Sequence, residues 1–194
     1  MSSRVLHVRI AAAAVIVAAF PMLSTHASAQ SRWSVAAAGG YQLELSEGYP
    51  SGGIVGTVGI GYRLGRVVSL GLEGGYHHFG TDSLAPDAQR TLSLWQASAV
   101  ARFALGSDRV APYALIGIGP YWQIDKRPAE NLTDIAAGGT AALGILFHPG
   151  TGAGIALTLE ARTHIVAVTG TDLAHWETRP LMGVMAGVRI PIGG

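Results

Sequence analysis

The sequence predicts an all-β fold: an eight-stranded antiparallel up-and-down transmembrane β-barrel preceded by a cleavable signal peptide. Bulky apolar side chains alternate with small or polar ones over eight segments, the segments are joined by short and long connections in turn, and aromatic residues lie near the segment ends. A side-chain period of two is typical of a strand with two unlike faces. Because the bulky face is the apolar one, we expect it to face lipid and the other face to line the interior.

The first 29 residues have the pattern of a secretory signal peptide. A basic start precedes the apolar run Ile10–Phe20, and small residues at alternate positions lead to Ala29. The apolar run is about 11 residues long, whereas a helix that spans a membrane needs ~20. We therefore predict a signal peptide over residues 1–29 and one barrel domain over residues 30–194.

The composition separates this chain from ordinary soluble domains. Hydrophobic residues make up 49% and charged residues 13%, against about 25% charged residues in a typical soluble protein. The absence of cysteine excludes disulfides and thiolate metal sites. A net charge of +1 gives no case for a nucleic-acid partner, and no motif predicts a cofactor.

The hairpin Gly53–Gly80 shows the alternation most clearly. Leu70 and Leu72 lie on its apolar face and Glu73 lies on the other, and the short break at Leu64–Arg66 is a turn. In the fifth strand, Pro112 and Pro120 either weaken the strand assignment or mark bulges. The eight predicted strands are about Trp33–Leu45, Ile54–Leu64, Val68–Gly80, Thr91–Leu105, Ala111–Asp125, Ile135–His148, Gly154–Val166 and Leu181–Ile192.

The predicted connections differ in length on the two sides of the sheet. Outer-membrane barrels have short periplasmic turns and longer external loops. Strands of about 12 residues, rising ~3.3 Å each and tilted by ~40°, cross roughly the 30 Å core of a bilayer. The predicted turns are 64–66, 106–110 and 149–152, and the predicted loops are 46–52, 80–90, 126–134 and 167–179.

Outward-facing aromatic residues sort into two groups by height. If the chain enters from the periplasm, one group lies near the rim with the short turns and the other near the rim with the long loops. Aromatic girdles are expected at both membrane interfaces. The predicted girdles are Trp33, Tyr62, Phe103 and Phe147 at the first rim and Tyr41, Tyr76, Trp95 and Trp122 at the second.

The inward face combines small residues with a few polar and charged ones. Eight strands enclose a space just wide enough for side chains to fill. Buried charges must pair, so we expect Glu73, Glu160, Arg102 and Arg162 to form a network that blocks the bore. The full predicted interior set is Glu73, Gln96, Arg102, Gln123, Glu160, Arg162 and Arg189.

The alternation also admits the reverse arrangement, a soluble lipocalin-like barrel with its apolar face inside. That arrangement would expose mainly Gly, Ala and about one charge per strand to water, which is a poor soluble surface. It also offers no reason for aromatic residues at two heights. The membrane arrangement is therefore favoured.

The signal peptide, the eight amphipathic strands, the aromatic girdles and the alternating connections together resemble the small outer-membrane β-barrel family, which includes the OmpA-like transmembrane domain and the OmpW- and OmpX-like barrels. The resemblance implies a location in the bacterial outer membrane, with its lipids, lipopolysaccharide and the assembly machinery as partners. It implies a non-enzymatic role in envelope integrity or surface interaction. The alternatives are a narrow pore or lateral-exit channel for small, including apolar, molecules, and an enzyme that modifies lipid A.

Two further interpretations involve histidines. His77, His78, Asp82 and Ser83 lie where the third strand meets a loop and could supply a Ser–His–acid set, whose geometry sequence spacing does not show. His77, His164 and Asp125 could converge on a metal ion in the upper lumen. Structural roles at the rim are favoured over both, so no catalytic or metal-binding residue is predicted.

Overall fold

The computed structural model describes residues 31–45, 52–79, 91–106, 109–126, 131–150, 154–169 and 176–193. Each strand pairs antiparallel with the next, and the last returns to the first and closes the barrel. This confirms the predicted fold class, while the predicted signal peptide over residues 1–29 lies outside the described residues. The strands are β1 (Trp33–Glu44), β2 (Gly53–Arg63), β3 (Val68–Phe79), β4 (Thr91–Ala104), β5 (Val110–Lys126), β6 (Asn131–Phe147), β7 (Ala156–Thr169) and β8 (Trp176–Ile192).

Closure of the sheet leaves no free strand edge. Trp33 at the start of β1 pairs with Tyr62 of β2 on one side and with Ile192 of β8 on the other. Such closure lets every strand form backbone hydrogen bonds on both sides, which is necessary because lipid tails cannot hydrogen-bond to N–H and C=O groups. In the part of the chain that the structure describes, no helix has the length and apolar character needed to cross a bilayer.

The two ends of the barrel are distinguished by the connections that they carry. We call the end where β2 meets β3, β4 meets β5 and β6 meets β7 the turn end, and the opposite end the loop end. The chain enters β1 and leaves β8 at the turn end.

Several strands continue further toward the loop end than predicted. The predicted loop 126–134 is wrong in its second half, because β6 begins at Asn131, which pairs with Lys126. The predicted loop 167–179 is shortened on both sides, since Thr169 of β7 pairs with Trp176 of β8. Polar and charged residues there indicated loops, but the β-ladders continue through them.

The two prolines of β5 do not produce bulges. Gln96 pairs with Tyr121 and Ala99 with Ile118, so β4 and β5 keep one register on both sides of Pro120. The pairings between these two points are missing. Proline lacks the N–H that would complete the ladder there. The bulge expected at Pro120 is therefore wrong, and the strand pair has a local gap in its pairing instead.

The two faces of the sheet have the predicted orientation. The side chain of Leu72 is 65% exposed and that of Ile116 is 55% exposed on the outer face. Glu73 and Arg162 are only 8% and 4% exposed in the interior. The reversed, lipocalin-like arrangement is therefore wrong.

Candidate functional site

The interior has three levels, of which two are filled by side chains and the third is open. At the loop end, an apolar group, here the loop-end cluster, consists of Phe79, Leu92, Leu94, Tyr121, Ala136, Val166 and Leu181. Below it lies the charged centre, which consists of Glu73, Glu160 and Arg162. The turn end contains an open cavity of about 270 Å³, here the turn-end chamber, whose described lining includes Arg32, Arg63, Arg66, Arg102, Arg189 and His148.

The loop-end cluster was not predicted. Phe79, Tyr121 and Val166 are completely buried, although large apolar side chains were expected only on the outer face. The alternation could have revealed the cluster, because Leu92 and Leu94 lie on the same, inward-facing side of β4 as Gln96. The cluster closes the described part of the bore with packed apolar side chains.

The predicted interior polar residues all belong to the inward rows of their strands. Arg102 and Arg189 are half-buried toward the turn end, and the others are buried. Those buried residues are Glu73, Gln96, Gln123, Glu160 and Arg162.

Arg162 organises the charged centre. From β7 it reaches across the bore to Glu73 of β3, with one hydrogen bond from Nη1 and a second of 3.1 Å from Nη2 to Oε2. Its Nη2 also lies 2.7 Å from Oε1 of Glu160, two residues earlier on the same face of β7. The contact between Arg162 and Glu160 is an ion pair but not a hydrogen bond, since Glu160 Oε1 has no hydrogen-bond partner. One buried guanidinium thus neutralises part of the charge of two carboxylates.

A chain of hydrogen bonds extends from Glu73 toward the loop end. Gln96 Nε2 donates to Glu73 Oε1 at 3.1 Å, and Gln96 Oε1 lies 2.9 Å from His77 Nε2. His77 Nδ1 lies 2.9 Å from Gln42 Oε1, while Gln42 Nε2 has no partner. With the Gln42 amide turned over, its Nε2 donates to Nδ1 and a neutral His77 is satisfied on both ring nitrogens. The buried imidazole is therefore explained as a structural link.

The second interior histidine packs against the first. The ring centroids of His77 and His164 are 4.8 Å apart at 88°, and His164 Nδ1 lies 2.9 Å from the Tyr121 hydroxyl. The third residue of the metal hypothesis, Asp125, has a side chain outside the described residues. Among the described residues, no three His, Cys, Asp or Glu side chains are grouped so that they could hold a metal ion.

The structure separates Arg102 from the carboxylates with which it was expected to pair. Its guanidinium carbon lies 4.9 Å from the ring centroid of Tyr113, a cation–π contact. Tyr113 in turn donates its hydroxyl proton to Glu160 Oε2 at 2.5 Å. Tyr113 thus contacts both Arg102 and Glu160, and Arg102 also lines a small cavity together with Glu73 and Glu160. The strand alternation alone could not reveal this arrangement.

Aromatic residues on the outer face form cross-strand contacts at both ends. At the turn end, the rings of Trp33 and Tyr62 are 4.9 Å apart. Nearer the loop end, Tyr76 lies 4.6 Å from Trp95, which also pairs with Trp122. The other residues predicted for the girdles, Tyr41, Phe103 and Phe147, are exposed on the same outer face.

The two histidines of the Ser–His–acid hypothesis lie on opposite faces of the sheet. His77 points into the bore, whereas His78 lies half-buried on the outer face with its Nδ1 3.2 Å from Ser93 Oγ. Both groups also contact the Tyr76 hydroxyl, at 3.4 and 3.2 Å. Asp82 and Ser83 lie outside the described residues.

A closed eight-stranded barrel with an apolar outer face and ion pairs inside is a β-barrel that spans a membrane. The chain belongs to the outer membrane protein β-barrel domain family, whose model matches residues 14–192. The protein is accordingly located in the bacterial outer membrane.

Solved structures show the same fold at low sequence identity. Neisserial surface protein A is 15% identical, with a TM-score of 0.68 over 84% of this chain and 98% of that one. Ail, the attachment invasion locus protein of Yersinia pestis, is 12% identical, with a TM-score of 0.55 over 82% and 99%. The outer membrane enzyme PagL is 16% identical, with a TM-score of 0.52 over 82% and 99%. No curated protein matches the sequence.

Proposed function

We propose that this outer-membrane barrel is a non-enzymatic envelope protein with a closed bore, whose loop end faces the cell exterior. Its apolar outer face would contact membrane lipids and lipopolysaccharide, and its external loops would serve envelope integrity or surface interaction. The observation that carries the proposal is the filled interior.

Two successive levels obstruct the bore. The loop-end cluster seals it with apolar side chains, and below it Arg162 spans the interior from β7 to Glu73 of β3. Two cavities near the charged centre measure about 30 and 20 Å³, which is space for about one or two water molecules each. Such an interior disfavours the passage of a hydrated solute.

Conductance in planar bilayers tests the closed bore against the pore alternative. We expect no steady open-channel steps from the folded protein, with insertion verified by its gel mobility before and after boiling. A general porin treated identically provides the positive control. Reproducible steps from the folded fraction alone would overturn the closed-bore proposal.

An enzyme that acts on lipid A is the second candidate, because Ser93 and His78 meet on the outer face toward the loop end. A serine nucleophile needs a base whose other nitrogen is oriented by a third group. Here Nδ1 contacts both Ser93 and Tyr76, an arrangement more typical of a polar patch among girdle aromatics. The non-enzymatic role is therefore preferred.

Lipid A analysis separates these two roles. Purified protein incubated with lipopolysaccharide should leave the acyl composition unchanged, as should the Ser93→Ala variant. Loss or gain of an acyl chain with the natural protein, abolished by Ser93→Ala, would establish the enzyme instead.

A further inference from the structure

The turn-end chamber has a concentration of positive charge. Its described lining contains five arginines and one histidine but no Asp or Glu. In the sequence, the only Asp or Glu in the turn-end connections is Asp108, which lies outside the described residues. Every ionisable side chain in the described lining is therefore basic.

Two arginines of the chamber, Arg63 and Arg189, are held by neutral oxygens. Arg189 Nε donates to Ser34 Oγ at 2.9 Å, and its Nη2 lies 3.5 Å from Ser69 Oγ. Arg63 Nη2 donates to the Ser31 carbonyl at 3.2 Å. These contacts orient the guanidinium groups without neutralising their charge.

Two buried nitrogen atoms of the lining have no hydrogen-bond partner. They are Nε of Arg102 and Nδ1 of His148. Leaving buried charge and buried polar atoms without partners is costly. An anion in the chamber would supply both the missing charge and additional acceptors.

The volume of the chamber and the directions of its arginine N–H groups favour a small tetrahedral oxyanion. The chamber, at about 270 Å³, lies just below the usual range of small-molecule pockets. Its arginines come from β2, β4, β8, the β2–β3 turn and the residue before β1, so their N–H groups approach from several sides. Arginine N–H groups match phosphate oxygens in geometry and charge.

We propose that the turn-end chamber binds a small phosphate-bearing anion. The ligand is held by Arg102 and Arg189 at the inner wall and by Arg63 and Arg66 at the mouth. The phosphate can belong to a soluble anion or to a lipid headgroup of the adjacent leaflet. The enclosure of the chamber by the barrel wall favours the soluble source. The proposal is independent of the closed-bore role, since the chamber is open at its own end.

Calorimetric titration of the full folded protein with inorganic phosphate in a non-ionic detergent tests the site. Ionic strength is held constant with sodium chloride. We expect saturable binding, a loss of affinity of at least tenfold in Arg102→Gln, and a smaller loss in Arg66→Gln, which lies in an exposed turn and leaves the barrel core intact. Arg109→Gln is the matched control, because Arg109 is exposed at the same end but is not among the lining residues; it should change affinity less than twofold.

Absence of saturable binding would overturn the proposal, as would equal losses in Arg66→Gln and Arg109→Gln. Phosphate affinity is then compared in nanodiscs of phosphatidylcholine and of phosphatidylcholine with phosphatidylglycerol. Equal affinity is expected for a soluble ligand, whereas competition by phosphatidylglycerol would assign the site to a headgroup. The conductance experiment is unaffected by either outcome.

Discussion

At the scale of single residues, Arg162 holds together groups that would otherwise repel. Glu73 and Glu160 are both buried, and the guanidinium lies between them. Desolvated carboxylates without a counter-charge are very costly, so removing one partner from such a centre costs more than the net stability of the intact centre. The three side chains therefore behave as one unit.

Arg162→Met should be the most destabilising single change in the charged centre, by about 3–5 kcal/mol. It leaves two buried carboxylates without the counter-charge that they share. Urea titration of the folded protein in phospholipid vesicles, followed by gel mobility, measures the free energy of unfolding.

Glu73→Gln provides the matched comparison. Arg162 keeps Glu160 as a counter-ion in that variant, so the expected loss is smaller, about 1–2 kcal/mol. The double variant Glu73→Gln/Arg162→Met should be less unstable than Arg162→Met alone. Strictly additive losses would contradict the coupling of these side chains.

At the scale of the strand, the β4–β5 pair has a local weak point beside Pro120. The ladder pairings are missing between Gln96–Tyr121 and Ala99–Ile118. A Cβ atom at Gly119 would overlap the main-chain oxygen of Ala97 on β4. Glycine is thus required here by a close approach of two backbones.

Gly119→Ala should push β4 and β5 apart and cost about 1–3 kcal/mol, as overpacking does. The control is Gly74→Ala on the outer face of β3, where the nearest atom to the new methyl group is 3.8 Å away. That change should be near neutral or slightly stabilising. The same vesicle unfolding assay compares them, and equal effects would refute the close-contact explanation.

At the scale of the whole molecule, the outer face forms an apolar belt between two aromatic rims. Trp33 and Tyr62 meet at the turn end, while Tyr76, Trp95 and Trp122 form a row nearer the loop end. Leu72 lies midway along β3 and is 65% exposed. The belt between these rims is the part that we expect at the centre of the bilayer.

Leu72→Arg should therefore destabilise the barrel in vesicles by about 2–4 kcal/mol, the cost of an arginine at the membrane midplane. Leu64→Arg is the matched control. Leu64 is 57% exposed but lies in the β2–β3 turn, where the cost should fall to about 0–1 kcal/mol. The difference between the two unfolding free energies reports how deeply Leu72 lies in the bilayer relative to Leu64. A larger cost at Leu64 would contradict the placement of Leu72 at the bilayer centre.

The sequence could predict much of the fold because the outer face follows a local rule. Alternation around Leu70 and Leu72 identified both the strand and the side that faces outward. The interior was predicted less fully. Phe79 and Leu94 have the inward phase, but they were not predicted to lie in the interior, where packing at the loop end buries them.

The sequence by itself determined the number of strands, their up-and-down order, the face turned toward lipid and the polar residues inside. Period-two alternation and bilayer thickness act on each strand separately, so these properties can be read from neighbouring residues. Only the tertiary structure decided that Arg162 contacts Glu73 and Glu160, that Tyr113 contacts Arg102, and that several arginines surround one chamber. Those arrangements depend on the heights at which different strands meet across the closed barrel, and no alternation pattern within a strand specifies them.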